Sequence, residues 1–186
     1  MKSIDIMVEE HENVRRMLKV IRKYCYKVLL DEDIDYDDFY KIINFIRDYT
    51  DGHHHSKEED ILFKMMGEET PKLANNGPIT GMLIEHDLAR LYVGNLEKAL
   101  DRYKKGQDDA RLDIIANSIS YTDLLDRHIE KENNVIYKFA NNTLSQKVKE
   151  RIDNECDQID KRAEEEGIQR KYINLLAELE EKIGIN

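Results

Sequence analysis

Long stretches of this chain repeat apolar residues at every third or fourth position, and few residues interrupt them. Its 186 residues include only two prolines and eight glycines. Spacings of three and four place the apolar side chains on one face of an α-helix. No stretch shows the alternation that is typical of a half-buried strand. The pattern therefore predicts an all-α protein, with helices over 4–33, 36–66, 78–105, 109–140, 144–166 and 169–183.

The first four predicted helices are long and joined by short connections, which is typical of an up-down-up-down four-helix bundle. The connections lie at 31–33, 67–78, 106–108 and 141–143. Asp35 is a candidate N-cap for the second helix, and Gly167 separates the last two helices. We predict that residues 1–142 form the bundle. Residues 143–186 are expected to add one or two C-terminal helices that pack on the bundle or on a partner subunit.

Charge and hydropathy restrict the classes of partner. The formal net charge is −10 and the isoelectric point is about 5.1, so the surface should repel nucleic acid and anionic lipid. No stretch reaches the roughly 18–20 apolar residues of a membrane span, and the first residues contain no apolar signal-peptide region. We expect a cytoplasmic monomer or homodimer that binds neither nucleic acid nor membrane. Cys25 and Cys156 are expected to be reduced and packed.

Two copies of one five-residue pattern lie in the second and fourth predicted helices, His54-x-x-x-Glu58 and His128-x-x-x-Glu132. Residues i and i+4 lie on the same face of a helix, one turn apart. A neutral imidazole and a carboxylate in that arrangement can ligate a transition metal. Because the pattern occurs twice, two helices can present the same ligands to one interior point. The repeat therefore predicts a dinuclear metal site.

Helical phase adds two further histidines to this site. His11 in the first helix and His86 in the third lie on apolar stripes where leucine would be ordinary, and His128 lies on the stripe of the fourth. A single histidine on such a stripe is usually a packed, hydrogen-bonded core residue. Four of them, one per helix and two with a carboxylate one turn downstream, are hard to obtain by chance and favour metal binding.

The second helix contains three consecutive histidines, and phase selects one of them. Projecting from His54 in steps of three and four reaches isoleucines and Glu58, whereas projecting from His55 reaches aspartates and an asparagine. His54 with Glu58 is therefore the expected inward pair. His55 is expected to lie off the apolar stripe with Glu59, although Glu59 can still support a metal ligand from outside. His53 is not expected to ligate a metal.

Four imidazoles and two carboxylates without thiolates exclude a structural cysteine-zinc site and suit iron, manganese or zinc. A carboxylate that bridges two ions about 3.5–4 Å apart is a common dinuclear arrangement. Ferritin-like diiron bundles instead use Glu-x-x-His pairs. The residues three positions before the four histidines disfavour that class, because they are Val8, Asp51, Leu83 and Leu125.

The motifs resemble those of the hemerythrin-like family, also called the HHE cation-binding domain, over roughly residues 4–140. The resemblance rests on the residues around each histidine, namely Glu10-His11-Glu12, the segment 54–63, Glu85-His86-Asp87 and the segment 128–133. It implies a non-heme diiron centre with two histidines on each iron, His11 with His54 and His86 with His128. It also implies that Glu58 and Glu132 bridge the irons together with an oxo or hydroxo group.

One position departs from the oxygen-carrying hemerythrins, which have a second histidine one turn after the ligand of the third helix. Here that position is Arg90, which cannot ligate iron. The departure leaves an open position that water, Glu59 or a tyrosine such as Tyr121 can fill. The resulting set of four histidines and two glutamates is similar to that of the repair-of-iron-centres proteins, which respond to nitric oxide.

Three functions are compatible with these residues. The leading hypothesis is that the diiron site binds or senses dioxygen or another small molecule. The alternative is a diiron enzyme that acts on peroxide or nitric oxide, or a protein that donates iron for repair. Arg90 beside the site favours the enzyme, because a guanidinium can hold an anionic intermediate. In the third hypothesis the metal only stabilises the bundle.

Overall fold

A computed structural model describes residues 1–74 and 77–185, and this part of the chain is 88% helical and contains no strand. The predicted all-α class is therefore confirmed. The long helices are α1 (Lys2–Leu29), α2 (37–69), α3 (Pro78–Lys104), α4 (110–143), α5 (Gln146–Glu165) and α6 (Ile168–Ile183). A single helical turn, Pro71–Ala74, precedes α3. None of the helices in the described part is long and apolar enough to cross a membrane.

Helices α2 and α4 change their winding where the two His-x-x-x-Glu patterns lie. Within α2 the successive segments are α-helical Asp37–Asn44, π-helical Phe45–His55, π-helical Glu58–Phe63 and α-helical Lys64–Glu69. Within α4 they are α-helical Ala110–Lys131, π-helical Glu132–Ile136 and α-helical Tyr137–Thr143. A π-helix forms hydrogen bonds between residues i and i+5, so its side chains do not follow the 3.6-residue period. Such segments are frequent at functional sites.

The connection between α1 and α2 is longer than the sequence predicted. Helix α1 ends at Leu29, and Asp31 has the left-handed φ angle of 58° that stops it. Asp35, the candidate N-cap, lies just before α2, and its Oδ1 accepts a hydrogen bond from the backbone N–H of Asp37 at 2.9 Å. The carboxylate thereby satisfies one of the N–H groups that the first turn leaves free.

The predicted loop 67–78 is partly helical. Helix α2 continues through Gly67 and ends before Thr70, whose φ and ψ of −134° and 81° lie outside the helical region. Thr70 precedes Pro71, and a proline disfavours the helical conformation at the residue before it. Residues 75–76 of the predicted loop lie outside the described residues.

Buried apolar side chains form two clusters in the described ranges, and the buried histidines and glutamates lie between them along the chain. The larger cluster takes buried residues from 14–28 of α1, 39–49 of α2, 89–100 of α3 and 114–129 of α4. The smaller cluster takes them from 4–7 of α1, 61–66 of α2, 79–82 of α3 and 136–140 of α4. Four helices therefore contribute to both clusters and carry a polar layer between them.

The C-terminal helices cover the same two clusters. Tyr172 and Leu176 of α6 are fully buried in the larger cluster, and Ile152 of α5 is fully buried in the smaller one. Gly167 links the two helices with a φ of 71°, a left-handed conformation that glycine adopts without a steric penalty. Cys156 on α5 is a buried free thiol, as is Cys25 on α1, which confirms the expectation for both cysteines.

Candidate metal centre

All six histidines of the chain are buried, together with Glu58 and Glu132. One group of side chains has its ligand atoms within 4.8 Å of one another, and it comprises His11, His54, Glu58 and Glu132. A second group meets the same limit, and it comprises His55, Glu58, His86 and His128. Glu58 belongs to both groups. The structure therefore brings the six predicted ligands into one layer and adds His55.

The prediction for His55 was wrong, because this side chain is buried within the layer and does not lie off it. His55 is 4% exposed, and its ring stacks on that of His86 with the centroids 3.8 Å apart. His53 is buried as well, so three consecutive side chains point into the protein. The simple helical projection failed because the segment 45–55 is π-helical, and its side chains advance around the axis by a smaller angle per residue.

Five of the histidines share one arrangement, in which the Nδ1 atom faces a side-chain oxygen. The pairs are His11 with Asn133 at 2.8 Å, His54 with Glu10 at 2.7 Å, His55 with Asp51 at 3.1 Å, His86 with Glu59 at 2.7 Å and His128 with Glu85 at 2.9 Å. An oxygen at Nδ1 fixes the orientation and tautomer of an imidazole and leaves Nε2 for a metal. The arrangement is typical of metal-ligating histidines.

Four of these oxygens come from residues that lie next to a candidate ligand on another helix, whereas Asp51 holds His55 from the same helix. Glu10 precedes His11 in sequence but holds His54, and Glu85 precedes His86 but holds His128. Each motif therefore supplies a ligand and also orients a ligand of its neighbour. Sequence reasoning identified Glu59 in this role and missed the others, although the repeated Glu-His dipeptide was a visible signal.

The Nε2 atoms of these histidines and the carboxylate oxygens of Glu58 and Glu132 converge in the centre of the layer. The Nε2 atom of His128 lies 3.0 Å from Oε1 of Glu132, and the Nε2 atom of His11 lies 3.2 Å from Oε2 of the same carboxylate. Among the described residues, both oxygens of Glu132, Oε2 of Glu58 and Nε2 of His54 are buried without a hydrogen-bond partner of good geometry. Buried polar atoms are normally satisfied, so these atoms call for a cation.

The two buried glutamates cannot both carry their charge without compensation. Burial and the negative charge of Glu132 raise the pKa of Glu58 well above its ordinary value. Burial also acts to raise the pKa of Glu132, but His128 and the other neighbouring histidines outweigh it and lower this pKa well below its ordinary value. Tyr137 donates a hydrogen bond to Oε1 of Glu58 at 2.5 Å. A metal ion would remove the need for Glu58 to keep a proton.

Four of the buried histidines have shifted pKa values, two lowered and two raised. Burial, together with the charge of His11, lowers the pKa of His54 to about 4. Burial and the charge of His86 lower the pKa of His55 to about 3. Both rings are therefore neutral at pH 7, as a metal ligand must be. Burial also opposes protonation of His86 and His128, but hydrogen bonds and charges from nearby glutamates, Glu132 above all, outweigh it and raise the pKa of both.

The three accessory residues that the sequence suggested lie outside the centre. Glu59 holds His86 at Nδ1, and it also accepts a hydrogen bond from Nη2 of Arg90 at 2.6 Å. Arg90 is 39% exposed at its side chain and donates to Asp51 from Nε at 2.9 Å. Tyr121 is 3% exposed and shares a cavity of about 230 Å³ with His55 and Arg90. In this structure Arg90 thus supports the carboxylates that hold two histidines.

A second buried polar cluster, which sequence reasoning missed, adjoins the layer. Lys57 is fully buried, and its Nζ lies 2.5 Å from Oε1 of Glu10 and 2.7 Å from Oδ1 of Asp160. Glu10 also contacts Nε2 of His53 at 2.9 Å. Glu10, His53 and Asp160 have the spacing of a metal site, but the ammonium of Lys57 already lies between the two carboxylates.

The layer of histidines and glutamates lies within a region that matches a known protein family. The model of the hemerythrin HHE cation-binding domain matches residues 2–140. The chain belongs to this family. No curated protein and no solved structure matches the chain significantly. The matched region contains every candidate ligand and ends within α4, so α5 and α6 of this hemerythrin-family protein lie beyond it. Its histidine and glutamate groups are compatible with metal binding.

Proposed function

We propose that this hemerythrin-family protein is a non-heme diiron protein whose four ligand-bearing helices form an up-down-up-down bundle. The proposed ligands of one iron are His11 and His54, those of the other are His55, His86 and His128, and the bridging carboxylates are Glu58 and Glu132. The observation that carries this proposal is the convergence of buried imidazole nitrogens and carboxylate oxygens. Among the described residues, four of these atoms have no hydrogen-bond partner, namely Nε2 of His54, Oε2 of Glu58 and both oxygens of Glu132. Each imidazole is already oriented through its Nδ1 atom.

The donor atoms support iron as the resident metal. Imidazole nitrogens and carboxylate oxygens suit iron, and they also accept manganese or zinc. Soft thiolate ligands are not part of the layer, because Cys25 and Cys156 belong to the apolar clusters. A carboxylate shared by both ligand groups, as Glu58 is, suits two ions that lie about 3.5–4 Å apart.

His55 changes the coordination that the sequence suggested. With His55 included, one iron has three histidines and the other, held by His11 and His54, has two. The iron with fewer protein ligands is therefore the expected position for an incoming small molecule. A ferrous pair, when bound, would supply electrons to such a ligand. The protein orients the imidazoles, provides the two glutamates as ligands and excludes water between the two apolar clusters.

We favour reversible binding or sensing of dioxygen or another small neutral molecule over catalysis. The enzyme alternative depended on Arg90, whose guanidinium was expected to hold an anionic intermediate. In the fold, Arg90 forms ion pairs with Asp51, Asp87 and Glu59, so its charge is already compensated by three carboxylates.

The test is reconstitution of metal-free protein with ferrous iron under anaerobic conditions. Iron content per chain and the absorption spectrum are recorded before exposure to air, after exposure, and after dioxygen is removed again. Two irons per chain and a coloured adduct that reverses would support the proposal. Irreversible oxidation with peroxide turnover would favour the enzyme. A chain that takes one metal, or only redox-inert zinc, would overturn the diiron assignment.

A further inference from the structure

A side chain from outside the family region reaches the surroundings of the metal centre. The match to the family ends at residue 140, whereas Asp160 lies on α5. Oδ1 of Asp160 accepts a hydrogen bond from Nζ of Lys57 on α2 at 2.7 Å. Lys57 is fully buried, so this contact is shielded from the water that weakens ion pairs at the surface.

Lys57 connects Asp160 to a candidate iron ligand through one further residue. The same Nζ donates to Oε1 of Glu10 at 2.5 Å, and Glu10 is 4% exposed. The other oxygen of Glu10, Oε2, lies 2.7 Å from Nδ1 of His54 and accepts the hydrogen bond that orients this ring. Three contacts, none longer than 2.7 Å, therefore join α5 to His54.

The charge on Glu10 depends on how Lys57 is shared. One ammonium lies between two carboxylates, Glu10 and Asp160, and each takes part of its hydrogen-bonding capacity. If Asp160 lost its charge, Glu10 would be the one charged carboxylate left in contact with Lys57 among the described residues, and the ammonium would neutralise it more completely. A less negative Glu10 is a weaker acceptor for the Nδ1–H of His54. A weaker acceptor makes the imidazole less electron-rich and therefore a poorer metal ligand.

We propose that Asp160 is a positioning residue of the metal centre, which it serves by sharing Lys57 with Glu10 and so strengthening the hydrogen bond that orients His54. The C-terminal helices then tune the metal site and do not merely cover the core. This inference rests on the proposed diiron function, because it assigns an effect on His54 as a metal ligand.

The decisive variant is Asp160→Asn, which removes the charge and keeps the shape of the side chain. Asp153→Asn is the matched control, because Asp153 also anchors α5 but contacts Ser3 and not Lys57. Oδ1 of Asp153 accepts hydrogen bonds from the backbone nitrogen of Ser3 at 2.9 Å and from its Oγ at 2.6 Å. Each variant removes the charge of one aspartate that holds α5 against another helix. Only the first disturbs the charge shared by Lys57 and Glu10.

Two measurements separate the outcomes. Proton NMR of the metal-free protein reports the His54 ring N–H, and anaerobic titration with cobalt(II) reports metal affinity. Asp160→Asn should shift the His54 signal and weaken binding by roughly 3- to 10-fold, less than the loss expected when a direct partner of a ligand is removed. Asp153→Asn should leave both at wild-type values, and Asp160→Glu should restore most of the affinity.

Equal behaviour of Asp160→Asn and Asp153→Asn would overturn the inference, whether both change or neither does. That outcome would leave the diiron proposal intact. Failure of the wild-type protein to bind two metals would instead remove the diiron proposal, and the NMR signal of His54 would still decide whether Asp160 acts on this ring.

Discussion

The Nε2 atoms of His86 and His128 lie 2.9 Å apart in the buried layer. Carboxylates accept the hydrogen bond from Nδ1 of each ring, Glu59 from His86 and Glu85 from His128. Each Nε2 therefore presents a lone pair when its ring is neutral, and two lone pairs at this distance repel each other. Only a proton or a metal ion between the two nitrogens makes the contact favourable.

This relationship predicts that metal binding displaces protons. The pKa of His86, of His128 and of Glu58 is raised above the ordinary value, so the metal-free layer keeps protons to a higher pH than these side chains do in water. We expect each chain to release roughly one or two protons when it binds its metals, and affinity to fall as the pH falls. Calorimetry in buffers of different ionisation enthalpy measures the release. An affinity that does not change between pH 8 and pH 6 would contradict the prediction.

The second prediction concerns the bridging carboxylates. Glu132→Gln should abolish paired metal occupancy, because one oxygen of Glu132 faces His11 and the other faces His128. A neutral amide there cannot balance two cations. Elemental analysis after reconstitution gives the number of metals per chain. Glu97→Gln is the control, since it removes a glutamate that pairs with Arg47 outside the layer. Two metals bound by Glu132→Gln would rule out the bridge.

The third prediction is a dependence of stability on pH in the metal-free protein. Burial and the charge of His86 lower the pKa of His55 to about 3, against about 6.5 in an unfolded chain. The unfolded state therefore binds more protons between these values. The contribution of His55 to the free energy of unfolding is complete above pH 6.5 and is lost progressively as the pH falls toward 3. By pH 5 the loss is about 2 kcal/mol.

Urea unfolding of wild-type protein and of His55→Gln at pH 7.5 and pH 5 checks this prediction. Glutamine does not titrate, so the variant should lose about 2 kcal/mol less than the wild type between the two pH values. His55 faces His54, His86, His128 and Asp51, and the comparison of variant with wild type removes the part of the pH dependence that these groups contribute independently. Identical losses in both proteins would show that His55 titrates normally.

The fold class and most of the layer were accessible from the sequence because they depend on helical periodicity. His11, His86 and His128 lie on regular α-helical stretches, and their phase is therefore readable. The position of His55 could not be predicted from helical phase, because a π-helical segment rotates this side chain into the layer. Whether a segment winds as an α- or a π-helix depends on packing across several helices. A projection that assumes one period placed His54 in the layer, but it could not show that the π-helical winding buries His53 and His55 as well.

Contacts between distant segments could not be predicted from the sequence either. Lys57 is a charged residue beside a candidate ligand, and its sequence neighbours give no sign that it is fully buried. Its burial is stabilised by Glu10, 47 positions earlier, and by Asp160, 103 positions later. Such compensation follows from tertiary packing, and only a structure reveals which carboxylates surround the ammonium.

The fourth prediction gives Arg90 a role in retaining metal. Arg90 donates to Asp51 and Glu59, and these carboxylates hold His55 and His86. Arg90→Met should free both carboxylates to move, which loosens the orientation of two proposed ligands. Because a partner of a ligating histidine typically contributes 10–100-fold to metal affinity, we expect the variant to lose metal to a chelator about tenfold faster.

Arg47→Met provides the matched control for this fourth prediction. Arg47 forms a two-point contact with Glu97, at 2.8 and 2.7 Å, and its side chain is 45% exposed against 39% for Arg90. Exposed ion pairs contribute about 0–1 kcal/mol, so both variants should unfold at similar urea concentrations. Only Arg90→Met should release metal faster. Equal release rates would mean that Arg90 stabilises the surface and has no influence on the imidazoles.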